Sequence, residues 1–143
     1  MSYQAELAAI ETRFLDNWTA TPVAMGSDGP VINPATKAIV DQPDDAPWVR
    51  FLVRGAREEQ ASLGGAGTTQ FRNYGLIMMQ IFTPFRNGHA AGRALADTAA
   101  AIFRTQQFGG ITCRAASVIE LGKIHGGWNQ TNVDVPYFRD AYL

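Results

Sequence analysis

The order of elements in this sequence predicts an α+β fold, in which a mostly antiparallel sheet packs against two helices. Together they form a single domain over residues 1–143 with a long arginine-bearing β-hairpin. Three observations predict it. Apolar residues recur at helical spacing near the N-terminus. WVRFLVRG and FRNYGLIMMQIFTP flank a glycine-rich tip and read as two strands. An alanine-rich helical stretch follows, and shorter strand-like runs follow that.

Ser2 is placed to cap a first helix running to about Thr19. Tyr3, Leu7, Ile10, Phe14 and Trp18 fall on one face, with Glu6, Glu11, Arg13 and Asp16 elsewhere. Pro22 closes the helix region, and Pro22–Met25 reads as a short strand. Residues 26–47 hold four prolines, two glycines and four aspartates, so an irregular loop or arm is expected there. Within it VINPATKAIV offers short edge strands that Pro34 interrupts. A connection of this length suits an arm that orders against a neighbouring subunit.

Trp48–Arg54 alternates, with Val49, Phe51 and Val53 on one side and Arg50, Leu52 and Arg54 on the other. Phe71–Thr83 is its hairpin partner. LIMMQIF is apolar on both faces, the mark of a central strand. Residues 55–70, with Gly64, Gly65 and Gly67, form a flexible hairpin tip. Asn87 or Gly88 opens a second helix to about Gln106, with Leu95, Ala99, Ile102 and Phe103 as its apolar stripe. Gly109–Gly110 is expected to stop it. Strands follow at Ile111–Cys113 and Ser117–Lys123, then an HGG turn and a last strand at Trp128–Pro136.

Composition bounds the function. Hydrophobic residues make up 46% and charged residues 17%, a globular balance with little charge to spare for surface. Weakly charged surface suits coverage by a partner. The net charge of −1 conceals an asymmetry: residues 1–47 hold seven acids and two bases, whereas residues 48–143 hold six acids and ten bases. That suits head-to-tail packing of identical subunits, or neutralisation within one subunit. Ten of the twelve bases are arginine, the cation of planar multi-donor contacts. Five of them, Arg50, Arg54, Arg57, Arg72 and Arg86, lie between Trp48 and Gly88 with no His, Cys or Asp beside them. Such a hairpin reads as a docking surface.

Chemistry is hard to find. The single Cys113 excludes an intramolecular disulfide and reads as a small buried hydrophobe. His89 and His125 lack carboxylates at ligand spacing and read as surface or turn residues. SLGGAGTTQF resembles a phosphate loop only superficially, since the lysine and following Ser/Thr are missing. The arginines come with no lysine cluster and a pI of about 6.1, which argues against base-reading DNA recognition. Catalytic, cofactor and metal sites are therefore expected to be absent. Trp48 and Trp128 open strands, where tryptophan is core if buried and an interface anchor if exposed. No run approaches the roughly 18 apolar residues that span a bilayer. A soluble protein of the cytoplasm, without a membrane partner, is expected.

The helix ending in Trp18, then TPVAM, PWVRFLV, QASLGG, FRNYGLIMMQIF, FRNGHAAGRALAD and GGWNQTNVDVPYFRD carry a resemblance by their order and spacing. They resemble the tail-terminator-like proteins of long-tailed bacteriophages and related prophage elements, over nearly the whole chain after residue 14. The resemblance implies a subunit of a hexameric ring in the virion, assembled in the bacterial host cytoplasm. The ring caps the tail tube and offers a surface to the neck proteins, and genome DNA passes through it without sequence-specific contact. NPATKAIV departs from the pattern as extra sequence. The interface residues expected on this reading are Arg50, Arg54, Arg57, Leu63, Gly64, Gly65, Arg72, Arg86 and Trp128. A neck or head–tail connector is the alternative, and a small-molecule-binding α+β domain a more remote one.

Overall fold

The computed structural model describes residues 3–27, 29–65 and 67–142. The expected cap Ser2 lies outside the described residues. Helix α1 spans Tyr3–Asn17 and helix α2 Ala90–Phe103. The strands are β1 (Val23–Met25), β2 (Val31–Ile32), β3 (Trp48–Gln60), β4 (Gln70–Pro84), β5 (Gln107–Phe108), β6 (Ile111–Cys113), β7 (Ser117–Ile124) and β8 (Trp128–Tyr142). They form one sheet in the order β2-β1-β3-β4-β8-β6-β5, with β7 pairing to β8 as well. Every pairing is antiparallel except that of β1 with β3. The α+β architecture expected from the sequence is the one observed.

β4 is central, as its two apolar faces require. It pairs with β8 on one side along its whole length from Gln70 to Pro84, and with β3 on the other from Phe71 to Phe82. Alternation sorts its side chains. Ile77, Met79 and Ile81 join Val49 and Phe51 of β3 and Val133, Val135 and Tyr137 of β8 in the main core. Both helices cover this face, α1 through Ile10 and Phe14, α2 through Ala96, Ala99, Ala100, Ile102 and Phe103. The alanines bring α2 close to the sheet. Phe14, Phe51 and Phe103 meet there, with the Phe14 and Phe51 ring centroids 4.4 Å apart. A second, small core on the opposite face joins Ala24, Trp48 and Phe82, with Trp128 packed against it. Trp48 stacks on Phe82 at 4.3 Å.

Some boundaries differ from expectation, each for a physical reason. β3 runs on to Gln60 because a bulge between Gly55 and Arg57 absorbs the irregularity and pairing resumes beyond it. β8 likewise extends six residues past Pro136, an outward-facing position that costs the strand little. α2 starts at Ala90, after a 3₁₀ turn at Phe85–Asn87 and a left-handed Gly88. It ends at Phe103, where Arg104 turns extended and Thr105 takes φ 55°. Gly109 and Gly110 do not stop the helix. With φ of 53° and 81° they make the two-residue turn of the β5–β6 hairpin.

The face of α1 is rotated from the apolar stripe. Tyr3 is 53% exposed, whereas Glu6 is 2% exposed. The buried line is Glu6, Ile10, Phe14 and Trp18. A carboxylate in that position needs partners, and β8 supplies them. Glu6 Oε1 accepts from Arg139 Nε at 3.0 Å, and Glu6 Oε2 accepts from the Tyr137 hydroxyl at 3.1 Å.

Tyr137 reaches Glu6 because its cross-strand neighbour is Gly75. A Cβ at residue 75 would sit 2.3 Å from the tyrosine ring. Gly75→Ala is expected to displace Tyr137 and lower stability by about 1–3 kcal/mol, read from urea denaturation. Unchanged stability would show that the ring has room.

Candidate functional site

The expected interface residues lie along one hairpin with two ends. β3 and β4 have 13 and 15 residues. At about 3.3 Å per residue they separate the ends by roughly 40–50 Å.

At one end the glycine-rich tip is tied to itself. The Thr69 hydroxyl donates to the Gly64 carbonyl at 2.9 Å and the Thr68 hydroxyl to that of Gly65 at 2.9 Å. The Gln70 amide donates to Ser62 Oγ at 2.9 Å. Gly64 is required by close approach, because a Cβ there would meet Thr68 Oγ1 at 2.9 Å. From this turn Leu63 projects with 94% of its surface exposed. An apolar side chain so displayed has no packing role within the subunit.

At the other end the chain brings Arg86 and Trp128 together, though they are far apart in sequence. Both line a cleft of about 180 Å³ with Asp44, Asp45, Phe85 and the Gly126–Gly127 turn. Arg86 pairs with Asp45, which holds its guanidinium more firmly charged. Lys123 lies 4.8 Å from the centroid of the half-exposed Phe85. Trp128 stands half-buried on the rim, edge-on to Trp48 at 6.4 Å. Trp48 is core, with its indole nitrogen buried and unbonded.

Between the ends, the arginines share the face that carries no helix, and most have aromatic or acidic partners. Arg50 lies 5.5 Å from the Trp48 ring and 5.7 Å from the Phe82 ring. Arg57 pairs with Glu59 at 3.1 Å and lies over Tyr74 at 5.1 Å. Arg72 forms a two-pronged bridge to Asp140, at 2.7 and 3.0 Å, and lies 4.3 Å from the Phe138 centroid. Arg114 shares that ring at 5.1 Å. Only Arg54, of the five hairpin arginines, stands exposed with no such contact described. Guanidinium stacked on aromatic surface keeps its outer donors and sheds little hydration, which suits protein contacts.

Two features were not among the expected site residues. Asp134 lies on the same open face, beside Met78 in the register, with Oδ1 buried and unbonded. Burial pushes its carboxyl above the ordinary aspartate value. The Glu6–Arg139 pair was equally hidden, because only the fold brings positions 133 residues apart together. Its one sequence signal is an acid at helical spacing with Ile10 and Phe14. Cys113 is buried as expected, and desolvation pushes its thiol up to about 11. His89 and His125 are exposed. No helix among the described residues is long and apolar enough to cross a membrane.

These features are packing contacts and surfaces carried on an α+β scaffold. The family model of phage tail terminator proteins matches residues 7–137, and the chain belongs to that family. It is thus a structural component of the phage tail and interacts with other tail and neck components. No curated protein matches it. One solved structure is similar over 100% of this chain and 99% of that one, with a TM-score of 0.66 at 20% identity, which shows a shared fold.

Two outcomes follow from the ion pairs. Glu6→Ala strands the Arg139 guanidinium in the core and is expected to cost about 3–5 kcal/mol in a denaturation experiment. A loss under about 1 kcal/mol would mean that water already reaches the pair. Arg72 holds the Asp140 carboxyl below its ordinary value, chiefly by hydrogen bonding. The pair therefore adds stability above the unfolded-state value and loses it as pH falls through the lowered folded one. Urea midpoints between roughly pH 5 and 2 should fall less steeply in Asp140→Asn than in the natural protein.

Proposed function

We propose that the protein caps the finished tail tube as an oligomeric, hexameric ring. Capping ends tube polymerisation and presents the surface to which the head's neck proteins join, while genome DNA passes through the hole without base-specific contact. Family membership supplies the class, and the two-ended hairpin carries the reading. A cap between tube and neck needs two different docking surfaces on opposite faces. The subunit offers an apolar point at Leu63 and, at the far end of the same strands, an amphipathic cleft at Arg86 and Trp128. Both ends are fixed to β4, so their separation is set by the length of one strand.

In this reading Arg50, Arg54, Arg57 and Arg72 lie along subunit contacts. Arg54 is the cleanest probe, since Arg50 also packs on Trp48 and Phe82. Arg54→Glu, alone and with Arg50→Glu, is expected to weaken assembly by about tenfold or more at unchanged monomer fold. Analytical ultracentrifugation and circular dichroism would read the two effects, and undiminished assembly would remove these arginines from the interface.

The test of function is electron microscopy of phage lacking the gene. Free filled heads beside over-long headless tails are the expected result. Tails of normal length beside unattached heads would shift the assignment to a neck connector. Intact, infectious particles would remove both readings.

A further inference from the structure

β7 has the side chains of an interior strand and the position of an edge. It pairs with β8 along Ser117–Ile124, and among the described residues no strand pairs with its other side. Val118, Ile119 and Leu121 are 45%, 48% and 52% exposed. Val118 faces the helix side, beside Val133, and Ile119 the open side, beside Asn132. Apolar residues on both faces mark a strand with neighbours on both sides, as in β4. An edge strand of a free monomer is ordinarily blunted by charge or proline. β7 has no proline and its Glu120 is drawn back to Arg93 on α2; Lys123 and the bulge between Glu120 and Gly122 protect its second half, which leaves Ser117–Ile119 as the open stretch.

The opposite end of the same row of strands is a second open edge. Here the sheet runs from β7 through β8, β4, β3 and β1 to β2, and residues 38–40 fold back on β2. The Asn33 amide donates to the Ala38 carbonyl and the Val40 amide to the Val31 carbonyl, both at 2.9 Å. Those bonds flank the Ile32–Ile39 bridge, so Ile39 is in a non-hydrogen-bonded position. Its own N–H and C=O therefore point away from β2, toward the open edge. Its side chain is 75% exposed.

We propose that the Ala38–Val40 edge of one copy adds to the outer edge of β7 in the next copy, continuing the sheet between subunits. The occupant is a second copy because extended backbone satisfies the outward N–H and C=O of Ile39 and the open side of β7 alike, and this chain presents both edges across the same sheet. Two different edges on opposite sides make a head-to-tail contact, which closes into a ring if the rotation per subunit allows. Residues 26–47 become the joining arm. This deepens the ring reading above and rests on it for closure, whereas the edge pairing is tested independently of it.

The experiment uses the full chain with Ile39→Cys and Val118→Cys together, both positions lying on the helix side of the sheet (Ile39 opposite Ile32, Val118 opposite Val133), the buried Cys113 being kept. It is run on free protein at high concentration and on tails from phage carrying the variant. Mild oxidation is expected to give a ladder of covalent multimers. Each single variant alone should stay uncrosslinked, and the two mixed should stop at dimers. Ile119→Lys should weaken association by about tenfold or more with an unchanged melting temperature. Homodimers of the Val118→Cys variant would overturn the proposal, because they mean two-fold pairing of β7 with itself. No ladder in either preparation would overturn it too, even if deletion of the gene gave over-long tails and so upheld the capping function. A ladder from free protein, with the protein absent from tails, would uphold the edge pairing and sink the capping reading.

Discussion

Everything in this subunit is referred to β4. Its residues are paired on β8 from Gln70 to Pro84, and on β3 over most of that length. A slip of one residue on either side would turn Ile77, Met79 and Ile81 out of the main core and bring Leu76, Met78 and Gln80 in. The register is therefore held by burial on one face and by the Trp48–Phe82 stack on the other. Both helices, both ends of the hairpin and the row of arginines take their positions from this strand.

The arginines show how such a face is made without becoming insoluble or sticky in the wrong way. Arg50, Arg57 and Arg72 spread their planar groups over Trp48, Tyr74 and Phe138. Glu59 and Asp140 orient two of them. The sheet face thus carries covered aromatic surface under a charged layer. A partner that strips away water meets guanidinium planes already in place.

Much of this was legible in the sequence, and the limits are physical. Period-two alternation located β3 and β8, an apolar run on both faces marked β4 as central, and the alanine-rich stretch located α2. The family resemblance followed from the order of motifs. Periodicity ranks side chains by polarity, so it placed Glu6 with the solvated acids of α1. The real position depends on Arg139 and Tyr137, brought there by the far end of β8. Gly109–Gly110 looked like a helix stop because adjacent glycines serve helix ends and tight hairpins alike. The candidate interface residues were named as one group, whereas the fold divides them between two ends and a middle. Strand length made that division, and the bulge after Gly55 concealed how far β3 continues.

The self-bonded tip has a kinetic meaning. A glycine-rich loop that ordered only on contact would lose backbone entropy at every encounter, and many collisions would end without capture. Here the Thr68, Thr69 and Ser62 hydroxyls have already closed the turn beneath Leu63. On the proposed role of this end, the turn beneath Leu63 is already closed, so a docking step there would be governed by how often the surfaces meet in the right orientation rather than by how long the loop takes to fold.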